Sequence, residues 1–527
     1  MQMRKIIAML LCLVLLAGLF TGCASADDPQ AYIPTGDALE REEEETQEEW
    51  ESEEAGEEEE EQQSLSLAYY PDRSMNPLDT ADFTNRALMT LIYQGLFAVN
   101  REYEAIPILC KSYETSADMK TYVFHLDPRA TFSDGSPVTV EDVVASLQRA
   151  EDTDYYTGRL RFVRNITATE SGALQIDLFH PLENLPLMLD VPIVKAEQVE
   201  MPHPLGTGPY VLKGIGTNMY LNRRDDWWCR SKDLALTAKK IPLLQADSTT
   251  FIRDAFEFAD VGIVCTDPGS DRYVEYRCDY ELWDCETGIF LYLGVNKASD
   301  AFQSVQVRQA LSKSINRDLL VDQYYQGFAS SAELPVSPDS PYYVATLAQK
   351  YGYDPVEAAS AMSEIKGYTI RLLVNQNDSF RVKVAQEIGR MLSANGLIVE
   401  VVSLSGDAYR YRLRDGNYDL YLGQTRLSPN MDLSAFFSES GALNYGEIDD
   451  PGIYNLCLQA LENQGNFYTL YQAIMEDAYL CPVLFRSYAV YAERGLVTNL
   501  QPSRDNLFCY SIGRTITEAY TGLLESE

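Results

Sequence analysis

A strand, a helix and a second strand follow one another in residues 369–402, and this unit limits the folds open to the chain. Residues 369–374 and 397–402 are short runs of apolar and β-branched residues, as in buried strands. The segment between them has Ser379 as its predicted N-cap and repeats apolar residues on one helix face: Val384, Ile388 and Leu392. Strands joined by such a crossover lie parallel in one sheet. The unit therefore predicts an α/β fold with a doubly wound sheet.

Other segments continue the alternation of strands and helices. Residues 139–142 form a predicted capping box, which opens a helix that runs through Leu147. Residues 84–97 carry apolar residues at helical spacing. A further helix is predicted from Ser304, with one apolar face: Val307, Leu311, Ile315 and Leu319. Because 463 residues follow position 64, we expect more than one lobe, each with its own core.

The first 23 residues have the pattern of a secretory signal. Two basic residues precede an apolar run over residues 6–20, and the run ends at Thr21-Gly22-Cys23. Such a run spans ~22 Å as a helix, less than the ~30 Å hydrocarbon core, so a membrane-spanning helix is disfavoured. The Cys after a small residue is similar to a bacterial lipobox. We predict that Cys23 carries lipid, the alternative being a cysteine that follows an ordinary signal.

Residues 24–64 carry almost nothing that a core could bury. Glu40 to Glu61 contains 15 glutamates and one basic residue, Arg41. A run of like charges repels itself and cannot offset its ordering entropy, so we predict a disordered acidic tether. Beyond residue 64 the net charge is still −22, from 61 acidic and 39 basic residues. This charge argues against nucleic acid and anionic lipid surfaces as partners.

Motifs of catalysis are absent from the sequence. It contains no GxxxxGK[ST], no GxSxG and no HExxH, and its three histidines have no partner at metal-ligand spacing. The cysteines show no CxxC spacing, although Cys278 and Cys285 could close a local disulfide loop. We therefore predict no enzyme activity, no cofactor and no metal site.

Five groups of residues, taken in order, resemble the bacterial extracellular solute-binding proteins of family 5, the oligopeptide- and dipeptide-binding components of ABC importers. The most specific is the run FSDGSPVTVEDV after a strand ending at Leu126. The groups are residues 75–79 (MNPLD) with 93–97 (YQGLF), 122–126 with 132–143, 206–210 (GTGPY), 293–296 (LGVN), and 307–311 (VRQAL) with 316–317.

The resemblance implies a type II periplasmic-binding-protein fold with two main lobes, an inserted lobe and a ligand cleft between lobes. Lobe I is predicted to be discontinuous, and lobe II to be inserted into it. The boundaries are 65–97, 203–288 and 485–527 for lobe I, 98–202 for lobe II and 289–484 for lobe III. Closing lobes around a ligand removes it from water and creates the shape that a permease recognises.

The resemblance also points to the segment that would hold the amino group of a peptide. In peptide-binding members, an acidic residue in a Trp- and Asp-containing segment of the third lobe pairs with this group. The matching stretch is 423–432, where Arg426 replaces the usual Trp and Pro429 replaces the anchoring Asp. Asp432 is the acid that remains. Two interpretations stay open for it: an amine anchor, or the cap of a helix beginning at Leu433.

Five further expectations concern ligand contacts. The planar guanidinium of Arg426 suits a carboxylate or phosphate of the ligand, unless the arginine is exposed or paired within the chain. Backbone groups of Thr425 and Leu427 could hydrogen-bond an extended peptide as a strand does. Asp72 and Arg73 precede the opening motif and are expected to face these residues across the cleft.

These observations predict a lipid-anchored, monomeric solute-binding protein on the extracytoplasmic face of a bacterial membrane. It would capture a small ligand, a peptide or a related solute, and deliver it to an ABC permease with a separate ATPase. Three alternatives stay open: a sensor or presenting lipoprotein that feeds no transport, a binder of a non-peptide anionic solute, and a cell-surface enzyme on the same fold.

Overall fold

The computed structural model describes most of the chain after residue 64. The proposed lipid site Cys23 and the predicted tether 24–64 lie outside the described residues, which belong to one compact unit spanning 63–527. The described ranges are 65–79, 82–229, 234–269, 276–497, 499–508, 510, 513–514 and 516–524.

Eleven strands of the described chain join in one mixed sheet, in the order β15-β14-β16-β12-β17-β11-β1-β10-β9-β8, with β13 paired to β17. A smaller sheet has the order β18-β4-β5-β7-β6, and β2 pairs with β3. The strands are β1 (Leu67–Tyr69), β2 (Phe97–Val99), β3 (Ala105–Pro107), β4 (Cys110–Thr115), β5 (Thr121–Leu126), β6 (Val163–Ala168), β7 (Leu174–Leu178), β8 (Tyr210–Lys213), β9 (Tyr220–Arg223), β10 (Lys240–Gln245), β11 (Ile263–Thr266), β12 (Tyr280–Val295), β13 (Ala329–Ser331), β14 (Thr369–Asn375), β15 (Ile398–Leu404), β16 (Leu420–Arg426), β17 (Leu480–Glu493) and β18 (Tyr520–Leu523).

Helices pack against strands of both sheets. They are α1 (Phe83–Met89), α2 (Val140–Glu151), α3 (Thr157–Leu160), α4 (Thr249–Glu257), α5 (Val305–Ser314), α6 (Arg317–Tyr324), α7 (Ala345–Ala348), α8 (Pro355–Ala361), α9 (Ser379–Ala394), α10 (Gly406–Asp415), α11 (Ser434–Phe437), α12 (Pro451–Glu462), α13 (Phe467–Asp477) and α14 (Ile516–Ala519). No helix in the described ranges is long and apolar enough to cross a membrane.

The strand–helix–strand unit is confirmed as β14-α9-β15. The two strands pair in parallel from Thr369 opposite Ile398 to Asn375 opposite Leu404. The predicted apolar face of α9 is fully buried. The predicted cap is wrong by one residue, since the side chain of Asp378 accepts the N-terminal backbone bond and Ser379 is the first helical residue.

Two other helix predictions need correction. The helix predicted from Ser304 is two helices, because the backbone leaves the helical conformation at Ile315 and the side chain of Asn316 caps α6. The helical pattern over 84–97 corresponds to a shorter helix, α1, which ends at Met89. The last residue of the pattern, Phe97, is the first residue of β2. The capping box at 139–142 is confirmed, and its helix continues to Glu151.

Two long strands carry the chain through the centre of the large sheet. The first half of β12 pairs with β17 alone, and the second half pairs with both β17 and β16. A register shift separates the halves between Glu286 and Ile289. Gly288 lies in it with φ 71°, a left-handed conformation that favours glycine. A side chain at this position would also collide with the guanidinium of Arg504.

Residues 206–210 and the FSDG turn of the family motif lie against each other. A Cβ on Gly208 would lie 2.5 Å from the carbonyl oxygen of Leu91, so only glycine allows this approach. The Ser133 amide donates to the Gly206 carbonyl (3.0 Å). The indole of Trp227 donates to Thr207 (3.0 Å). These motif residues therefore stabilise the fold by backbone packing.

The C-terminal strand β18 pairs in parallel with β4 of the smaller sheet. The predicted lobe I, which includes residues 485–527, thus contributes a strand to the sheet of the predicted lobe II. Cys278 and Cys285 are both free thiols, so they do not close the local loop considered from the sequence.

We expect Ile388→Ala to lower the free energy of unfolding by about 2–5 kcal/mol, because Ile388 is fully buried between α9 and the sheet. Urea unfolding followed by circular dichroism measures the change. Ser393→Ala, on the exposed face of the same helix, is the control and should change stability by less than about 0.5 kcal/mol. Equal effects of the two variants would contradict the burial of this face.

Candidate functional site

The end of strand β16 lies at the centre of the candidate site. Backbone pairing places Thr425 opposite Phe290 and Arg426 opposite Ile289, just beyond the register shift of β12. Leu427 follows the strand, and its amide donates to the carbonyl of Gly288 (3.0 Å). The predicted ligand segment therefore lies where the two long strands change partners.

Arg426 is one of four arginines that surround a single carboxylate, that of Asp505. The Arg426 Nη2 lies 2.8 Å from Asp505 Oδ1, and Arg86 Nη2 lies 3.3 Å from the same oxygen. Arg159 Nη2 and Arg504 Nε lie 2.7 and 2.9 Å from Asp505 Oδ2. We call these five residues the arginine cluster. Its arginines come from α1, α3, β16 and the turn that carries Asp505, so it joins segments from all three predicted lobes.

A tight turn holds Asp505 in this position. Ser503 and Asn506 exchange backbone hydrogen bonds of 3.0 and 3.2 Å across the turn. The Ser503 hydroxyl donates to the carbonyl of Val99 (2.7 Å), which fixes the turn against β2. The carboxylate of Asp505 thus points into the junction of segments that are far apart in the sequence.

Burial and charge make the arginine cluster strongly coupled. The side chain of Asp505 is 11% exposed and that of Arg159 is 5% exposed. Burial acts to raise the pKa of Asp505, but Arg426, Arg159, Arg504 and Arg86 outweigh it and hold this pKa well below its usual range.

A second carboxylate, that of Asp190, contacts the arginine cluster but does not neutralise its positive charge. Asp190 Oδ1 lies 2.8 Å from Arg159 Nε, and burial raises the pKa of Asp190 above its usual value. Four guanidinium groups lie against two carboxylates in ion pairs, and the carboxylate of Glu286 interacts electrostatically with Arg504, so three carboxylates leave an excess of one positive charge. This excess lies within a chain whose described part is otherwise acidic.

Arg426 keeps a partly open face. Its side chain is 28% exposed, although Nη2 also donates to the carbonyl of Arg504 (2.8 Å). The ring of Tyr155 contacts three guanidinium groups of the cluster. Its centroid lies 5.1 Å from Arg426 Cζ, 3.3 Å from Arg86 Cζ and 5.4 Å from Arg159 Cζ. Of the two sequence interpretations, the structure has the internal pair, and a ligand would meet an arginine that is already oriented.

Asp432 is bound within the chain on both of its oxygens. Arg161 forms an ion pair with Oδ2. The other oxygen accepts from the backbone amide (2.9 Å) and the hydroxyl (2.6 Å) of Ser434, the first residue of α11. The carboxylate therefore bonds the first residue of this helix, which begins one residue later than predicted and has Leu433 as its N-cap residue. Its side chain is 6% exposed, so a ligand amine would have to displace Arg161.

Asp72 and Arg73 lie on the exposed turn after β1. Arg73 pairs with Asp82, and its guanidinium lies 3.9 Å from the ring centroid of Tyr70. Asn85 is buried beneath and donates to the carbonyl of Tyr70 (3.0 Å), which anchors the turn. Within the described part of the chain, neither Asp72 nor Arg73 bonds to residues 425–432.

Arg486 is a further buried arginine that sequence reasoning missed. It lies on β17 at the register shift, and its Nη2 donates to both oxygens of Asp267 (2.6 and 2.7 Å). Its Nη1 donates to Gln424 of β16 (3.0 Å). The sequence did contain a signal for it, because Arg486 is a charged residue inside the apolar run of β17. The turn that carries Asp505 offers no such signal.

Residues from the predicted lobes II and III are in direct contact beside the site. The amide of Glu183 donates to the Leu461 carbonyl (3.0 Å), and the amide of Gln464 donates to the Glu183 carboxylate (3.0 Å). Asn184 donates to the Tyr342 hydroxyl (2.6 Å). The described residues contain no group of three or more His, Cys, Asp or Glu that could hold a metal ion.

Comparison with known proteins identifies the family. The model of the family described as "Bacterial extracellular solute-binding proteins, family 5 Middle" matches residues 104–444, more than half of the chain. The chain belongs to this family. The glutathione-binding protein GsiB of Pectobacterium atrosepticum is 26% identical to this family 5 protein over 357 residues, 63% of this chain and 67% of the relative.

Solved structures show the same fold. The ABC transporter substrate-binding protein CtaP of Listeria monocytogenes superposes with a TM-score of 0.70 at 19% identity, over 86% of this chain and 98% of that chain. The periplasmic murein tripeptide-binding protein MppA, in its unliganded open form, gives 0.70 at 16% identity, over 85% and 97%. This family 5 protein therefore has the type II periplasmic-binding-protein fold, as the sequence motifs predicted.

We expect Asp505→Asn to lower the free energy of unfolding by about 3 kcal/mol at neutral pH, because it leaves buried guanidinium groups without their anion. The pKa of Asp505 is lower in the folded chain than in the unfolded one. Its stabilisation is therefore complete above pH ~4, the unfolded pKa, and is lost as the pH falls towards the folded pKa.

Urea unfolding of the native chain and the variant between pH 7 and pH 3 measures this difference. It should shrink below pH ~4. Asp407→Asn, which removes a 95% exposed carboxylate paired with Arg410, is the control and should change little at any pH. A difference that stays constant through this range would contradict a depressed pKa at Asp505.

Proposed function

We propose that the protein is a lipid-anchored, extracytoplasmic solute-binding protein that captures a small peptide bearing carboxylate groups and delivers it to an ABC importer. Cys23 would carry the lipid, and residues 24–64 would hold the binding domain away from the membrane. The ligand would lie between the predicted lobes, against Thr425, Arg426 and Leu427.

The excess positive charge of the arginine cluster is the observation that carries this proposal. An uncompensated positive charge attracts an anionic solute to one place in an otherwise acidic chain. The partly exposed guanidinium of Arg426 is oriented by Asp505 and can still offer N–H groups to a ligand carboxylate. The ring of Tyr155 supplies an apolar face beside it.

The relatives favour a peptide among anionic solutes. One is named for glutathione, a tripeptide with two carboxylates and one amine, and one structural neighbour is named for a murein tripeptide. A ligand of this size would meet the charge excess at one end and the edge of β16 along its length. On the other edge of β16, the described pairing with β14 covers only Leu420 and Tyr421, and the backbone groups beyond them can bond an extended chain.

Contacts between the predicted lobes support capture by enclosure. The bonds of Glu183 and Asn184 to residues on the far side of the cleft hold the predicted lobes II and III together. Leu461 packs with the core of the first two predicted lobes, and Tyr103 packs with the core of the third. These reciprocal contacts suit a molecule that closes around a ligand and opens to release it.

We expect reduced glutathione and other short peptides with two carboxylates to bind, and Arg426→Gln to weaken their binding about tenfold or more, as expected for a charge-assisted hydrogen bond. Isothermal titration calorimetry of the protein measures this, with amino acids, sugars and neutral peptides as comparison ligands.

Arg410→Gln removes an exposed arginine of α10 and is the matched control. It should leave the affinity unchanged, and the melting temperature of both variants checks that they fold. Binding of an uncharged class of solute in place of anionic peptides would contradict the ligand assignment. Binding that is equal in the Arg426 and Arg410 variants would remove Arg426 from the site.

We expect Cys23→Ala to move the protein from the membrane fraction to the medium or periplasm, because the lipid is its proposed attachment. Immunoblots of fractionated cells measure this, and Cys278→Ala is the control. Capture of a permease by the full-length lipoprotein after mild cross-linking would support delivery. Ligand binding without any associated permease would favour a sensor.

A further inference from the structure

A non-covalent interface joins the predicted lobes II and III, and the chain does not connect these lobes directly. Residues 98–202 of lobe II are flanked on both sides by segments of lobe I, and β12 and β17 carry the chain into and out of lobe III. The cysteines of the two lobes, Cys110, Cys457 and Cys481, are free thiols. Contacts between lobes II and III can therefore break while each lobe stays folded.

An ion pair crosses this interface beside the arginine cluster. Arg161 follows Arg159 by two positions. Its Nη2 pairs with the carboxylate of Asp432 and donates to the hydroxyl of Ser434. The side chain of Arg161 is 31% exposed, whereas that of Asp432 is 6% exposed. Because water can solvate the guanidinium when the pair opens, breaking this pair costs less than breaking a fully buried one.

Glu183 and Asn184, which follow β7, contact lobe III at a second place. The amide of Glu183 donates to the carbonyl of Leu461 (3.0 Å), and its carboxylate accepts from the amide of Gln464 (3.0 Å). The side chain of Asn184 donates to the hydroxyl of Tyr342 (2.6 Å) and accepts from the side chain of Gln464 (2.7 Å). All these partners belong to the chain itself, so the bonds need no ligand.

The chain has a place to bend when these contacts open. The pairing of β12 with β17 shifts register between Glu286 and Ile289, beside the predicted boundary of lobe III. Gly288 lies in this shift with φ 71°. A change of backbone conformation at such a point can rotate one lobe against another without unfolding either lobe.

We propose that these contacts form an interlobe latch, which holds lobes II and III together in the ligand-free protein, and that Arg161 is its positioning residue. The latch consists of Arg161, Glu183 and Asn184 on lobe II and of Tyr342, Asp432, Ser434, Leu461 and Gln464 on lobe III. A closed form that is populated without ligand admits a ligand only when it opens, and it also slows the release of that ligand. The inference goes beyond the proposed capture of peptides, because the latch forms from the chain alone.

Hydrogen–deuterium exchange of the full-length protein without ligand tests the latch. The backbone amides of Glu183 and Gln464 donate across the interface, and they should exchange when the latch opens. In Arg161→Gln we expect both amides to exchange about fivefold faster, as expected for the loss of one partly exposed ion pair. The Arg426–Asp505 pair also joins lobes III and I, so closure should be weakened and not abolished.

Arg164→Gln is the matched control, because Arg164 is an exposed arginine of β6 that forms no ion pair within the described chain. It should leave the exchange of both amides unchanged. Arg161→Lys keeps the positive charge and should retain most of the protection. The amides of α9, which packs in the core of lobe III, report on general stability and should exchange as in the native protein in all three variants.

Unchanged exchange at Glu183 and Gln464 in Arg161→Gln overturns the latch. So does acceleration confined to peptides that contain residue 161 or 432, which would make the ion pair a local contact. Acceleration that includes α9 would be a general loss of stability and also overturns it, as would equal effects of Arg161→Lys and Arg161→Gln. No ligand enters these measurements, so their outcome does not depend on whether peptides bind.

Discussion

The carboxylate of Asp505 is the point on which the arrangement of the site depends. It accepts ion pairs from arginines that belong to distant parts of the sequence, and the same arginines would repel one another without it. Because these side chains are largely buried, water cannot replace the anion. The position of Arg426, and with it the end of β16, follows from one aspartate in a short C-terminal turn.

The two long strands β12 and β17 give this cluster its location. They hold the halves of the large sheet together. The register shift between them places Gly288, Arg486 and the end of β16 next to one another. Arg504 lies over Gly288, and its Nε donates to Asp505. The glycine at the register shift thus leaves room for an arginine of the cluster.

Much of the fold followed from local pattern. The β14-α9-β15 unit was predictable because the spacing of its apolar residues changes from that of a strand to that of a helix and back. Two strands joined by such a helix pair in parallel with a right-handed crossover. The capping box at Thr139 was also predictable, because its two residues lie three positions apart in the sequence. The helix predicted from Ser304 was wrong because its apolar spacing continues through a break at Ile315, where tertiary packing keeps the spacing while the backbone leaves the helix. The type II fold came from ordered motifs, several of which serve backbone packing.

The sequence by itself determined the fold class, the family and the segment 423–432 as the place to look for the site, since these depend on periodicity and on motifs within a few residues of each other. Only the tertiary structure decided what Arg426 and Asp432 bond to, because their partners Asp505 and Arg161 are 79 and 271 positions away and carry no local signal. Charge pairing is a property of distance in space. A chain with many acidic residues offers each arginine many partners, and folding selects one of them.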